Sequence, residues 1–207
     1  MSFPFVPGKN IQVPEINYRD KIQLPADRSA LLIVDMQNDF VKEGGSLVVE
    51  SAKETVPNIR SLIDKARKKD VKVCYTQDTQ FKGDKEFDIW PEHCLHGTNG
   101  WKIIDEIKPE VNDMIFQKNR YDGFYGTLLE HYLSHVWQTE YLIITGTVAN
   151  ICVAHTAASA GLRWYHIVIP ANGISAMTEF DQALTLRQTS SLYAGTVIKS
   201  TDDISFQ

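Results

Sequence analysis

Cysteine is scarce in this chain of 207 residues: Cys74, Cys94 and Cys152 cannot all pair with one another and are too few to staple a scaffold of this size. A disulfide-built secreted domain is therefore not expected, and a reducing cytoplasm is the expected compartment. Long apolar runs are missing as well. The run at residues 30–34 falls far short of the roughly 20 residues that cross a bilayer. The first seven residues have no basic stretch leading into a sustained apolar one, so neither a membrane span nor a cleaved signal is expected. Blocks of like charge are absent, because 26 acidic and 21 basic residues are dispersed along the chain to a net charge of −5. The electrostatic footprint of a nucleic-acid binder is missing with them. Neither a Gly-x-Gly-x-x-Gly nor a Walker-type loop occurs, so no nucleotide cofactor has a visible cradle.

What is present is the composition of a folded protein, 43% hydrophobic and 23% charged. Residues 1–28 hold four of the eight prolines and show neither a helical nor an alternating period, which predicts an extended arm. Its apolar residues, among them Ile16 and Tyr18, need a surface to cover. The expected host is a second subunit, making the protein a homo-oligomer, with an arm folded back on its own domain as the alternative. Residues 29–207 read as a single domain. Short runs rich in Val and Ile recur at 30–35, 71–76, 113–117, 141–146, 166–170 and 196–200, giving six predicted strands. Helical spacing fills the gaps at 53–69, 126–137, 150–162 and 179–193. This alternation predicts an α/β three-layer sandwich, a six-stranded, mainly parallel sheet with helices on both faces. Such sheets bind ligands at the carboxyl ends of their strands.

Three reactive side chains fall at such ends. Asp35 closes the first predicted strand, Lys118 follows the third, and Cys152 lies where the chain turns from the fourth strand into a helix. A thiol near a helix start with a lysine beside it is expected to favour the nucleophilic thiolate, and a carboxylate in reach supplies a base. Taken singly, each residue is ordinary: a buried small hydrophobe, a strand cap, a solvated cation. Their common placement makes them a candidate triad.

Four stretches carry a resemblance to a known family. They are Leu32-Ile33-Val34-Asp35-Met36-Gln37-Asn38-Asp39-Phe40; Trp90-Pro91-Glu92-His93-Cys94 with Gly97-Thr98; Lys118-Asn119-Arg120-Tyr121-Asp122-Gly123-Phe124 with Gly126-Thr127; and Thr145-Gly146-Thr147-Val148-Ala149-Asn150-Ile151-Cys152-Val153. In this order they resemble the isochorismatase-like cysteine hydrolases, which include N-carbamoylsarcosine amidases, nicotinamidases and isochorismatases. The resemblance covers about residues 28–204. It implies the same catalytic residues, Asp35, Lys118 and Cys152, and hydrolysis through a thioester. It also implies a cis peptide bond between Thr147 and Val148, and an oxyanion hole formed by the backbone N–H groups of Val148 and Cys152.

Relatives of the nicotinamidase type hold a metal through an Asp-x-His pair and a later His. Here Asp78 and His93 remain, but Gln80 replaces the middle His, and a set with an amide oxygen is a poor zinc site. His96 is a candidate substitute. No cofactor is therefore expected to be required, with a divalent metal such as zinc at Asp78 and His93 as the alternative. His131 and His135 have a metal-compatible spacing but lack the acid of a His-Glu-x-x-His motif, and read as a surface helix. Trp90, Trp101, Tyr121 and Phe124 flank the motifs and are candidates for the walls of a substrate pocket.

The Lys118 motif, the arm and Gln80 together look more like the carbamoyl-amidase branch. The expected activity is cleavage of the C–N bond of a small amide or ureide, such as an N-carbamoyl amino acid, with release of ammonia. Nicotinamide is the alternative substrate and isochorismate the third. A thiol redox protein is the reading from another class, disfavoured because no Cys-x-x-Cys occurs.

Overall fold

The computed structural model describes Gln12 and residues 14–207. The strands are β1 (Tyr18–Arg19), β2 (Ile22–Leu24), β3 (Ser29–Val34), β4 (Lys72–Asp78), β5 (Met114–Lys118), β6 (Tyr141–Thr147), β7 (His166–Pro170), β8 (Ile174–Ser175), β9 (Thr196–Ile198) and β10 (Ile204–Phe206). The helices are α1 (Asn38–Val41), α2 (Ala52–Arg67), α3 (Leu129–His131), α4 (Ala154–Leu162) and α5 (Glu179–Leu192). A π-helical turn, Tyr132–Val136, continues α3, and another, Ala149–Val153, leads into α4.

All strand pairings of the main sheet are parallel, in the order β1-β9-β7-β6-β3-β4-β5, with β8 added beside the end of β6. Among the described residues the sheet therefore has eight strands rather than the expected six. β1 and β8 are two residues each, too short to produce a periodic signal, and they pair only because β9 and β6 offer free edges. A separate pair, β2 with β10, lies off the main sheet.

Those short strands also change the picture of the arm. Tyr18–Arg19 pairs with β9 and Ile22–Leu24 with β10, so the end of the predicted arm is folded onto its own domain. Ile22 and Leu24 are buried there. Ile16 packs, partly buried, against the core, and the other apolar arm positions fall in residues 1–11 and 13, which lie outside the described residues.

β3 is buried along its whole length, which is why its sequence is a continuous apolar run rather than an alternating one. Leu31 and Ile33 point into a core shared with Ile59, Leu62 and Ile63 of α2. Ala30, Leu32 and Val34 point the other way, into a core shared with Ala157 of α4 and Leu186 of α5. From β3 the chain builds β4 and β5 on one side, then crosses back to place β6 on the other. The carboxyl ends of β3 and β6 thus flank the topological switch point, where open α/β sheets bind ligands.

Gly146 holds that junction together. It pairs with Val34 across β3, has φ of +111°, and a Cβ there would collide with the Val34 carbonyl oxygen and amide nitrogen. Backbone cannot yield as a flexible side chain would. Gly146→Ala is expected to destabilise the protein by at least about 2 kcal/mol in urea unfolding, from strain and overpacking together. An unchanged midpoint would show that the two strands separate easily. Among the described residues, no helix is long and apolar enough to cross a membrane.

Candidate active site

Parallel register brings the three expected side chains together. Asp35 follows β3 in the left-handed region (φ 49°), a conformation uncommon for residues other than glycine and found disproportionately at functional sites. Lys118 ends β5, level with Asp78 of β4. Cys152 sits in the π-helical turn after β6. Lys118 Nζ lies 2.7 Å from Asp35 Oδ2, 3.6 Å from Asp78 Oδ1 and 3.6 Å from Cys152 Sγ. The Thr76 hydroxyl donates to Asp35 Oδ1 at 2.7 Å. Asp35 is fully buried, Lys118 is 1% exposed and Cys152 7%. The Thr147–Val148 peptide bond is cis.

Burial dominates the electrostatics. It pushes the Asp35 carboxyl above its ordinary pKa even though Lys118 pulls the other way. Burial also acts against the charge on Lys118, but Asp35, Cys152 and Asp78 outweigh it and keep the ammonium protonated far beyond neutral pH. For Cys152, burial comes first again and raises the thiol well above its usual range; Lys118 opposes this, while Asp35 and Asp78 reinforce it. The balance favours the neutral thiol, where the sequence points to a thiolate. The lysine charge is already shared by two carboxylates, and desolvation of sulfur exceeds what remains.

The cluster lies at one end of a narrow cleft that opens to solvent. Its walls are Phe40, Leu47, Trp90, Tyr121, Val148, Ile151 and Met177, with Asp78, Glu86, His93 and Cys152 as the ionisable groups. Trp90 and Tyr121 were expected there, and the Trp90 indole donates to the Tyr121 hydroxyl at 3.0 Å. Phe124 was expected too, but it is buried in the core beside Leu129 and Ala157, with its ring under Arg163. The turn that follows Lys118 carries it away from the cleft. Trp101 is likewise off the wall, its indole donating to Thr79.

Asp78, Glu86 and His93 bring ligand atoms within 4.8 Å of one another and could hold a divalent ion. His93 Nε2 is 3.2 Å from Asp78 Oδ2 and 3.9 Å from Glu86 Oε1, while Nδ1 faces the Pro91 carbonyl at 2.8 Å, the outer contact that orients a metal-binding imidazole. Gln80 donates to Asp78 Oδ1 at 3.1 Å, and its own buried Oε1 has no partner. The residues present therefore fit a metal, through Glu86 rather than through His96. The His96 ring is packed between those of Phe81 and Trp101. Burial pushes against a charge on His93, but Asp78, Pro91 and Glu86 together raise its pKa. Burial works against ionised Asp78 as well, yet Lys118 and His93 hold its carboxyl below the ordinary range. His131 and His135 lie on an exposed helix face with ring centroids 5.6 Å apart.

Several supporting residues carry no sequence signal of their own. Thr76 is an interior strand residue until β4 sets it beside Asp35. Glu86 enters the cleft through the short 3-10 turn Lys85–Asp88, whose start is capped by Asp84 accepting from the Glu86 N–H. Asp39 accepts from the N–H groups of Ser46 and Cys94, fixing the loop that carries His93.

Comparison with known proteins agrees with this geometry. A family model described as the isochorismatase domain matches residues 29–202. An uncharacterized isochorismatase family protein of Bacillus subtilis is 32% identical over 76% of this chain and 86% of its own length. The crystal structure of N-carbamoylsarcosine amidase from Thermoplasma acidophilum superposes with a TM-score of 0.77 at 32% identity, covering 84% of this chain and 97% of that one. Nicotinamidase from Bacillus subtilis gives 0.78 at 27% identity, over 83% of this chain and 100% of its own.

Proposed function

The chain belongs to the isochorismatase family, and from that premise we propose that Cys152 is the nucleophile of an amidohydrolase that passes through a thioester and releases ammonia. At the coarser level, it is a hydrolase of amide carbon–nitrogen bonds other than peptide bonds. The observation that carries the finer reading is the convergence of Asp35, Lys118 and Cys152 on one buried point that opens to a small cleft.

The chemistry follows from the proton positions. Lys118 stands within reach of both Asp35 and Cys152, which places the carboxylate beside the thiol, and Asp35 takes the proton as Sγ attacks the amide carbon. The oxyanion is received by the N–H groups of Val148 and Cys152, each donor being worth a few kcal/mol in comparable sites. Protonated Asp35 then delivers its proton to the departing nitrogen, the C–N bond breaks, and ammonia leaves a thioester. Water enters, Asp35 removes its proton, and the acid is released with the thiol restored. Lys118 stays protonated throughout and stabilises Asp35 whenever it is ionised. A metal held by Asp78, Glu86 and His93 would supply a Lewis-acidic point that orients a substrate donor atom in the cleft. Three buried, unpaired cysteines suit the cytoplasm proposed as the site of action.

Asp35 must be ionised to act as base, and its raised pKa sets the acid limb of the rate. Activity is lost as pH falls through that value. Ammonia release from a panel of small amides, measured as kcat/KM against pH, is expected to fall off above the ordinary carboxylate range. A flat profile down to pH about 4, the ordinary carboxyl pKa, would contradict Asp35 as the base.

A further inference from the structure

The cleft has an unusual balance of charge for an enzyme whose relatives include carboxylate-bearing amides among their substrates. Among the described residues its lining contains no lysine or arginine; its charged groups are Asp78 and Glu86, with His93 between them. The nearest cations are committed elsewhere. Lys118 is buried at the cleft floor, held by Asp35 and Asp78. Arg120 lies outside the lining, half exposed, with Nη1 3.2 Å from Asp84 and 3.9 Å from Glu86. Glu86 itself is 8% exposed. Among the described residues its carboxylate accepts no hydrogen bond, and its charged neighbours His93 and Arg120 both stand at 3.9 Å. Its oxygens keep contact with solvent in the cleft and are free to accept from a ligand.

Resting on the amidohydrolase reading, we propose that in the ion-free cleft Glu86 is a specificity-determining residue: it accepts a hydrogen bond from a neutral or cationic donor group on the substrate and excludes amides that carry a carboxylate in the same place. The substrate class is then an uncharged or cationic small amide whose apolar body lies against Phe40, Trp90, Tyr121 and Met177. This departs from the N-carbamoyl amino acid expected from sequence, whose carboxylate would meet Glu86 and Asp78 with no cation to receive it.

Two matched pairs test the inference: N-carbamoylglycine against its methyl ester, and 4-carbamoylbenzoate against its methyl ester, assayed for ammonia in the presence of a chelator so that no ion neutralises the acidic wall. Because juxtaposed like charges cost several kcal/mol, the wild type is expected to show kcat/KM at least about tenfold higher for each ester than for its acid. Glu86→Gln is expected to bring the two within about threefold, a residual of under 1 kcal/mol. A wild type indifferent to the charge or preferring the acids, or a Glu86→Gln variant that keeps the full ratio, would overturn the proposal. Calorimetry of the same compounds on Cys152→Ala separates the two readings. If no ammonia is released but the esters bind more tightly than the acids, the amidohydrolase reading falls and the role of Glu86 stands. If neither ester binds, the proposed substrate class is wrong.

Discussion

Replacing Cys152 with alanine is expected to lower turnover by at least about a thousandfold while leaving the fold intact, as losses of a covalent nucleophile normally do. The side chain is buried and small, and its helical turn is held by backbone hydrogen bonds from Ile151 and Val153 to the Val148 carbonyl, none of which involves sulfur. Circular dichroism and the melting temperature should therefore stay close to wild type. Serine should be nearly as inactive, because the same desolvation that raises the thiol pKa acts on a hydroxyl, which is a far weaker acid to begin with. Turnover above about a tenth of wild type in a correctly folded alanine variant would exclude nucleophilic catalysis at this position.

Lys118→Met carries the second large effect, on stability as well as rate. The ammonium is the only cation within ion-pair distance of Asp35 among the described residues, and it also faces Asp78 in a site from which water is excluded. Removing one partner leaves buried carboxylate charge uncompensated, a change that typically costs about 3 to 5 kcal/mol. Asp35 would then hold its proton to higher pH and cease to act as base at neutrality. The expected result is a lower urea midpoint together with loss of ammonia release at temperatures where the variant is still folded. The double variant Asp35→Asn/Lys118→Met should regain part of the stability and none of the activity. A single variant as stable as wild type would mean that Asp35 is neutral in the resting enzyme.

The residues of the site were legible in the sequence to different depths. Asp35, Lys118 and Cys152 could be found because buried parallel strands leave continuous apolar runs, and the first reactive residues after such runs stand at the binding edge of the sheet. Trp90 and Tyr121, expected beside them from the flanking motifs, line the cleft. The protonation state of the thiol was not legible, since desolvation depends on what closes over the sulfur and not on the residues next to it in the chain. Glu86 was missed because a 3-10 turn has no periodic signature, and its neighbours Asp84 and Asp88 are acids of the same kind left outside the cleft. Phe124 was misplaced because proximity in sequence to Lys118 says nothing about the direction of the turn that follows. The strands β1 and β8 exist only through pairing with partners more than twenty residues away, at Val197 and Gly146.

The central claim is the covalent intermediate on Cys152, and intact-protein mass spectrometry after rapid acid quenching of steady-state turnover tests it most directly. With 4-carbamoylbenzoate methyl ester or any amide found to be turned over, the wild type should gain the mass of the substrate less ammonia. Peptide mapping should place the adduct on Cys152, and hydroxylamine should remove it. The Cys152→Ala variant should show none. An enzyme that releases ammonia with no adduct detectable at any quench time, or with the adduct on another residue, would contradict the thioester mechanism and the role given to Cys152.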